Sequence, residues 1–161
     1  GHLLLFHPAI QKIKKIIDSK KIGDLQYIST NRLNFGTVRT EENVFWSFAP
    51  HDISILQYFT EDFPIDIKIF GGNFLQSEIS DTTITMLEYP NNIKAHIYLS
   101  WIHPFKEHRI VVIGSKGMLT YEDSSPNKEL LFYDKKYNPI TLLTLSLDNK
   151  IAPFGISQTS S

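Results

Sequence analysis

Thr82-Thr-Ile-Thr-Met-Leu-Glu-Tyr-Pro-Asn-Asn-Ile-Lys-Ala-His-Ile-Tyr-Leu-Ser-Trp101 reads as two alternating runs with a turn between them. Ile93, Ala95, Ile97, Leu99 and Trp101 fall on one face, and Lys94, His96, Tyr98 and Ser100 on the other. That period of two predicts a half-buried strand, and Pro90-Asn91-Asn92 supplies the turn residues of a hairpin back to Thr82–Tyr89. Working outward, the same signature recurs at Asp66–Phe70, Arg109–Ile113, Met118–Tyr121, Leu130–Tyr133 and Ile140–Leu147, with Gly114-Ser115-Lys116-Gly117 as a second hairpin turn. Successive hairpins predict an antiparallel sheet.

Upstream the period changes. After Pro8, Ile10, Ile13, Ile16 and Ile17 recur at helical spacing opposite Lys12, Lys14 and Lys15, and Gly23 marks the stop. The lysines read as a solvated outer face. Residues 24–35 form a strand with Tyr27, Ser29 and Asn31 on one side and Ile28, Thr30 and Arg32 on the other, closed by Gly36. Residues 37–46 read as a loop, and Pro50 is expected to open a second helix that Pro64 ends. Two helices ahead of a strand meander make an α+β domain: a predominantly antiparallel open sheet, helices on one face, the other face free for oligomerisation. Tyr89, Tyr98, Tyr121 and Tyr133 suit either a partner subunit or the core with satisfied hydroxyls.

Composition sets the class. The chain has 161 residues, 42% of them apolar and 20% charged, which is ordinary for one globular domain. Sixteen basic against 17 acidic side chains give a net charge of −1, so the field that nucleic acid or an anionic membrane requires is absent and neither is an expected partner. Without cysteine there is no disulfide scaffold, thiol nucleophile or thiolate-held zinc. There is no apolar run of the ~18 residues a membrane span needs and no basic-led leader, so the expected location is cytoplasmic. The chain lacks an initiator Met and opens on Leu3-Leu-Leu-Phe6, which reads as a buried strand; both features predict a piece of a longer protein.

Two constellations can carry chemistry. In Trp46-Ser47-Phe48-Ala49-Pro50-His51-Asp52, a histidine in the first turn of a helix faces the positive end of the dipole. That keeps the imidazole neutral and fit to accept a proton from a substrate hydroxyl, although a histidine there can equally be structural. Ser47 can share its face or cap the helix. The polar row Asn31, Arg32, Asn34, Arg39 and Asn43 offers paired donors and acceptors with planar cationic forks, suiting a sugar with an anionic group, or is simply solvated. His96, His103 and His108 lack an arranged carboxylate, so no metal is expected. Gly114-Ser-Lys-Gly117 lacks phosphate-loop spacing, and no Gly-x-Gly-x-x-Gly precedes a helix.

Several stretches in order resemble a known family: Gly-His-Leu-Leu-Leu-Phe-His-Pro-Ala at the start, Ile-Ile-Asp-Ser-Lys-Lys-Ile-Gly-Asp-Leu, Ala-Pro-His-Asp-Ile within 43–56, Ser-Trp-Ile-His-Pro-Phe-Lys, and Val-Ile-Gly-Ser-Lys-Gly-Met. Together they are similar to the C-terminal domain of Gfo/Idh/MocA oxidoreductases, over nearly the whole chain. The resemblance implies a two-domain sugar or polyol dehydrogenase using NAD or NADP, held mainly by an N-terminal Rossmann domain outside residues 1–161. This part would then hold substrate and form a homo-oligomer through its open sheet, and would be inactive alone. By the same resemblance His51 is catalytic, beside a lysine of the missing domain, with Asn31, Arg32, Arg39, Asn43, Trp46 and Ser47 binding substrate. The Asn31-Arg-Leu-Asn34, Val38-Arg39, Asn43 and Trp46 pattern is similar to the branch that oxidises the 3-hydroxyl of UDP-linked N-acetylated sugars. Ser47 stands where many members carry Asp, which leaves a non-catalytic dimerisation or ligand-binding module as the alternative.

Overall fold

The computed structural model describes residues 3–36, 43–134 and 139–145, with side chains from residue 5 onward. Its core is an eight-stranded mixed sheet. The strands are β1 (Leu25–Phe35), β2 (Asp66–Gly72), β3 (Thr82–Tyr89), β4 (Ile93–Ser100), β5 (Ile102–Gly114), β6 (Gly117–Glu122), β7 (Glu129–Asp134) and β8 (Pro139–Thr144), in the order β2-β3-β4-β1-β5-β6-β7-β8. Every neighbouring pair is antiparallel except β1 and β4, which run parallel from Tyr27↔Lys94 to Leu33↔Ser100. The hairpin expectation misses that pair because β1 is inserted between β4 and β5, strands consecutive in sequence. As a central strand, β1 presents Ile28 and Thr30 to the core between apolar neighbours on both edges, Ala95 and Val112 for the first and Ile97 and Ile110 for the second.

Register explains the core. Leu87, Ala95, Ile28, Val112, Leu119 and Phe132 lie in one row across six strands, each opposite the next, and all are buried. Helices α1 (Pro8–Asp18) and α2 (Val44–Thr60) lie on that face and bury Ile10, Ile13, Ile16, Ile17, Ile55, Leu56 and Phe59. Tyr89 and Tyr121 belong to this core, where burial lifts the Tyr89 hydroxyl to about 12, whereas Tyr98 and Tyr133 are half-buried on the open face. The core alternative thus holds for Tyr89 and Tyr121, whereas Tyr98 and Tyr133 lie outside the core.

Three local expectations need correction. Leu3–Phe6 form a turn of 3₁₀ helix, not a strand, and Phe6 is exposed. Lys14 is buried and not on a solvated face: its ammonium donates to Asp18 at 2.9 Å and Glu61 at 2.7 Å. Burial lowers its pKa, but those carboxylates outweigh it and the net shift is upward. Third, α2 begins at Val44, capped by Asn43, so Trp46 is helical and Pro50 lies well inside the helix. No helix among the described residues is long and apolar enough to cross a membrane.

Candidate functional site

The start of α2 is built from three hydrogen bonds. Asn43 Oδ1 accepts from the Trp46 N–H at 3.0 Å, its carbonyl accepts from the Ser47 N–H at 3.3 Å, and the Ser80 carbonyl accepts from the Val44 N–H at 2.9 Å. These satisfy donors that the first turn of any helix leaves without an internal partner. Ser47 and His51 then follow at i and i+4 on one stripe. Ser47 is half-buried and His51 is exposed.

His51 is therefore two turns into the helix. The dipole acts within about one turn of the terminus, so the dipole argument for a neutral ring does not apply. Pro50 has a separate consequence: it has no N–H for the Trp46 carbonyl, which weakens the helical ladder one turn before the histidine.

Directly behind His51, Asp52 points inward and receives Arg32. The guanidinium donates through Nε to Oδ2 at 3.3 Å and through Nη2 to Oδ1 at 3.2 Å, with the Phe48 ring 5.9 Å from its centre. Burial pushes the Asp52 carboxyl above the ordinary range, against the pull of Arg32. Two of the three Arg32 nitrogens are thus committed inside the protein, which reduces its capacity as an anion fork for substrate.

The other expected residues do not all converge. Asn31 points to the opposite sheet face, where its Nδ2 donates to Glu107 at 2.9 Å beside the Glu107–Arg109–Glu122 ion pairs. Asn43 spends its carbonyl oxygen as the cap, while Trp46 is 68% exposed at the helix start. Arg39 lies outside the described residues. Asn43, Trp46, Ser47 and His51 thus share the N-terminal half of α2, Arg32 lies beneath it, and Asn31 is elsewhere. His96 and His108 stand on opposite faces of the sheet, so the histidines considered for a metal do not meet.

Sequence reading missed a cavity of about 60 Å³ between the two helices and the sheet, whose lining includes the ionisable His7, Arg32, Asp52, His108, Tyr121 and Asp123. Asp123 accepts from the Tyr121 hydroxyl at 3.1 Å and lies 3.8 Å from His7 Nε2, while His7 Nδ1 accepts from the Ala9 N–H. β5 extends seven residues upstream of the expected Arg109, through a stretch without regular alternation, and so places His108 opposite Arg32. His108 is pushed down to about 4 by burial, then by Arg32 and Lys106, against Asp123 and Glu122.

The sign of that shift gives a test. A histidine with a folded pKa below its unfolded value of ~6.5 binds its proton less readily when folded, so its stabilisation holds above 6.5 and is lost as pH falls toward 4. His108→Asn is expected to remove on the order of 2 kcal/mol of acid destabilisation between pH 6.5 and 4, after discounting for solvent screening. Urea unfolding at both pH values measures it, and an unchanged slope refutes it.

The described residues offer no dinucleotide cradle. The one parallel pair, β1 and β4, is joined through α2, β2 and β3 and not by a strand, a glycine turn and a helix.

An open sheet with both helices on one face is also the fold of parts of several solved oxidoreductases. An inositol dehydrogenase homolog from Azotobacter vinelandii, complexed with NADH and myo-inositol, superposes with a TM-score of 0.79 at 17% identity, over 95% of this chain and 43% of that one. A UDP-N-acetylglucosamine 3-dehydrogenase from Acidithiobacillus ferrooxidans gives 0.76 at 18% identity, over 96% and 47%. At these identities the likeness establishes the fold alone. Among curated proteins, 2,7-anhydro-N-acetylneuraminate hydratase of Escherichia coli K12 is 22% identical over 135 residues, 74% of this chain and 36% of that protein. The chain thus spans about a third of that relative's length. The GFO/IDH/MocA C-terminal domain model matches residues 10–120, and the chain belongs to that family.

Proposed function

We propose that this chain is the substrate-holding and assembly part of an NAD(P)-dependent oxidoreductase that oxidises a secondary hydroxyl of a sugar, with nucleotide-linked sugars as the leading class. The observation that carries this reading is the exposed His51 imidazole, on the same stripe as Ser47 along a helix whose first turn is tied to the Ser80 carbonyl just ahead of β3. A ring free to meet a ligand from a fixed backbone suits proton transfer. In this reading a companion domain holds the cofactor, and the length of the relatives leaves room for one. When bound there, the cofactor would supply the hydride acceptor for the carbon bearing the hydroxyl. His51 takes the hydroxyl proton, Ser47 and Trp46 contact the sugar, and Arg39 offers charge to an anionic group. Arg32 fixes the pocket wall through Asp52.

Phe70, Ile84 and Met86 are exposed on the open face, at 66, 41 and 50%. Apolar surface of that kind fits burial against a second copy.

In the full-length protein, His51→Ala is expected to lower sugar-dependent reduction of the nicotinamide by about 100-fold, the usual loss with a general base, and to leave NAD(P) binding unchanged. A near-normal rate overturns the role. The rival reading, a non-catalytic assembly module, draws on Ser47, which cannot supply the charge of the Asp that the resemblance places there. It predicts no sugar-dependent reduction by the unaltered protein with either cofactor.

A further inference from the structure

Asp81 is 1% exposed and precedes β3, in a segment with no expected role. Its Oδ2 accepts from the N–H groups of Phe74 at 2.7 Å and Leu75 at 2.9 Å. Its own N–H donates to the Gly72 carbonyl at 3.0 Å, and its carbonyl accepts from the Trp101 N–H at 3.2 Å. The Trp101 carbonyl in turn accepts from the Gly36 N–H, at the end of β1. One residue therefore fixes the ends of β2 and β4 and the 73–80 loop, and through Trp101 it reaches the end of β1.

The residue before it, Ser80, accepts from the Val44 N–H, the first donor of α2. The Ser80 hydroxyl also donates to Asn73 at 3.0 Å, inside the same loop. Helix starts fray unless such donors are met, and here one acceptor comes from a loop whose shape depends on a buried carboxylate. Oxygen acceptors bound to two adjacent N–H groups hold a turn much as a helix cap does.

We infer that Asp81 is a positioning residue: it holds the 73–80 loop so that the Ser80 carbonyl pins the first turn of α2, and with it the stripe bearing Ser47 and His51. The importance of that stripe rests on the function proposed above; the coupling from Asp81 to α2 does not.

Two substitutions in the full-length protein test it, read by amide hydrogen exchange. Asp81→Ala removes the oxygen that accepts both hydrogen bonds and is expected to speed exchange at Val44–Ser47 and at Phe74 and Leu75 by about tenfold or more. Exchange over Ile55–Phe59, in the same helix but away from the loop, stays within twofold. Asp81→Asn keeps an oxygen for the two N–H groups and is expected to restore protection over Val44–Ser47, which a purely global stability effect would not do. If the alanine variant fails to fold, Asp81→Ser, whose shorter side chain cannot reach both N–H groups, takes its place in the comparison. The inference is overturned if acceleration is confined to the 73–80 loop, if it spreads evenly along α2, or if neither variant changes Val44–Ser47. Turnover separates the two readings: should His51→Ala leave the rate unchanged, the proposed function falls while the exchange result stands.

Discussion

Arg32→Ala is expected to destabilise the fold by about 3–5 kcal/mol at neutral pH, because it strands the buried Asp52 carboxylate without its cation. The side chains of the pair are 18% and 3% exposed, so water cannot replace the guanidinium. The pH dependence follows from the direction of the Asp52 shift. A carboxyl with a folded pKa above its unfolded value binds a proton more readily when folded, so protonation adds stability as pH falls through the folded pKa. Removing Arg32 raises that pKa further, and the deficit should narrow in acid. Urea unfolding of both proteins at pH 7 and pH 5 decides it; a deficit equal at the two values, or below about 1 kcal/mol at pH 7, removes the charged pair from the account. The companion Arg32→Met, Asp52→Leu exchanges the pair for apolar volume and is expected to fall within about 1.5 kcal/mol of the unaltered chain.

How far the sequence reveals this domain depends on the range of the force in question. Period-two burial is local, and the strands from β3 to β7 stand within a few residues of their expected bounds, apart from the upstream extension of β5. Strand order is not local: nothing in Leu25–Phe35 announces that it inserts between β4 and β5 and brings Arg32 opposite His108. The opening of α2 was misplaced for a specific reason. Proline favours a first helical turn, but Asn43 caps the helix seven residues before Pro50, and Pro50 is tolerated inside because helix packing outweighs one lost bond. Lys14 shows the same limit, since helical spacing placed it outward and only the fold brings Glu61, 47 residues later, to its ammonium.

Of the candidate site, the residues on α2 were legible as a contiguous stretch, while the hydrogen bonds that orient them were not. Asn43 reads as a substrate ligand from residue type alone, yet the helix claims its oxygen. Asn31 and Arg32 are adjacent in sequence, and the alternation that separates them also sends one to Glu107 and the other to Asp52. The proton-accepting role proposed for His51 thus draws on exposure and a tethered helix, not on the dipole that first suggested it.

Gly114→Ala carries the other large effect, with an expected cost of about 3 kcal/mol or more. A Cβ at Gly114 lies 2.2 Å from the Ile22 carbonyl oxygen and 2.9 Å from its carbon, so backbone and not a flexible side chain must give way. That carbonyl also accepts from the Lys116 N–H at 2.8 Å, while the Ser115 N–H donates to the Asp24 carbonyl at 2.9 Å and the Asp24 N–H to Ser115 Oγ at 2.8 Å. These three bonds clip the β5–β6 turn onto the link between α1 and β1, where Gly23 has φ +77°. Separating the strands by the width of a methyl group breaks the clip as well as the contact. The Gly-Ser-Lys-Gly sequence is thereby accounted for without a phosphate, since its donors and hydroxyl are engaged by backbone and the lysine contributes only its N–H. Lys116→Ala is accordingly expected to change stability by no more than about 0.5 kcal/mol, and inorganic phosphate to leave the melting temperature of both proteins unchanged. A mild effect at Gly114 together with phosphate stabilisation that Lys116→Ala abolishes would reverse that account and make the turn an anion site.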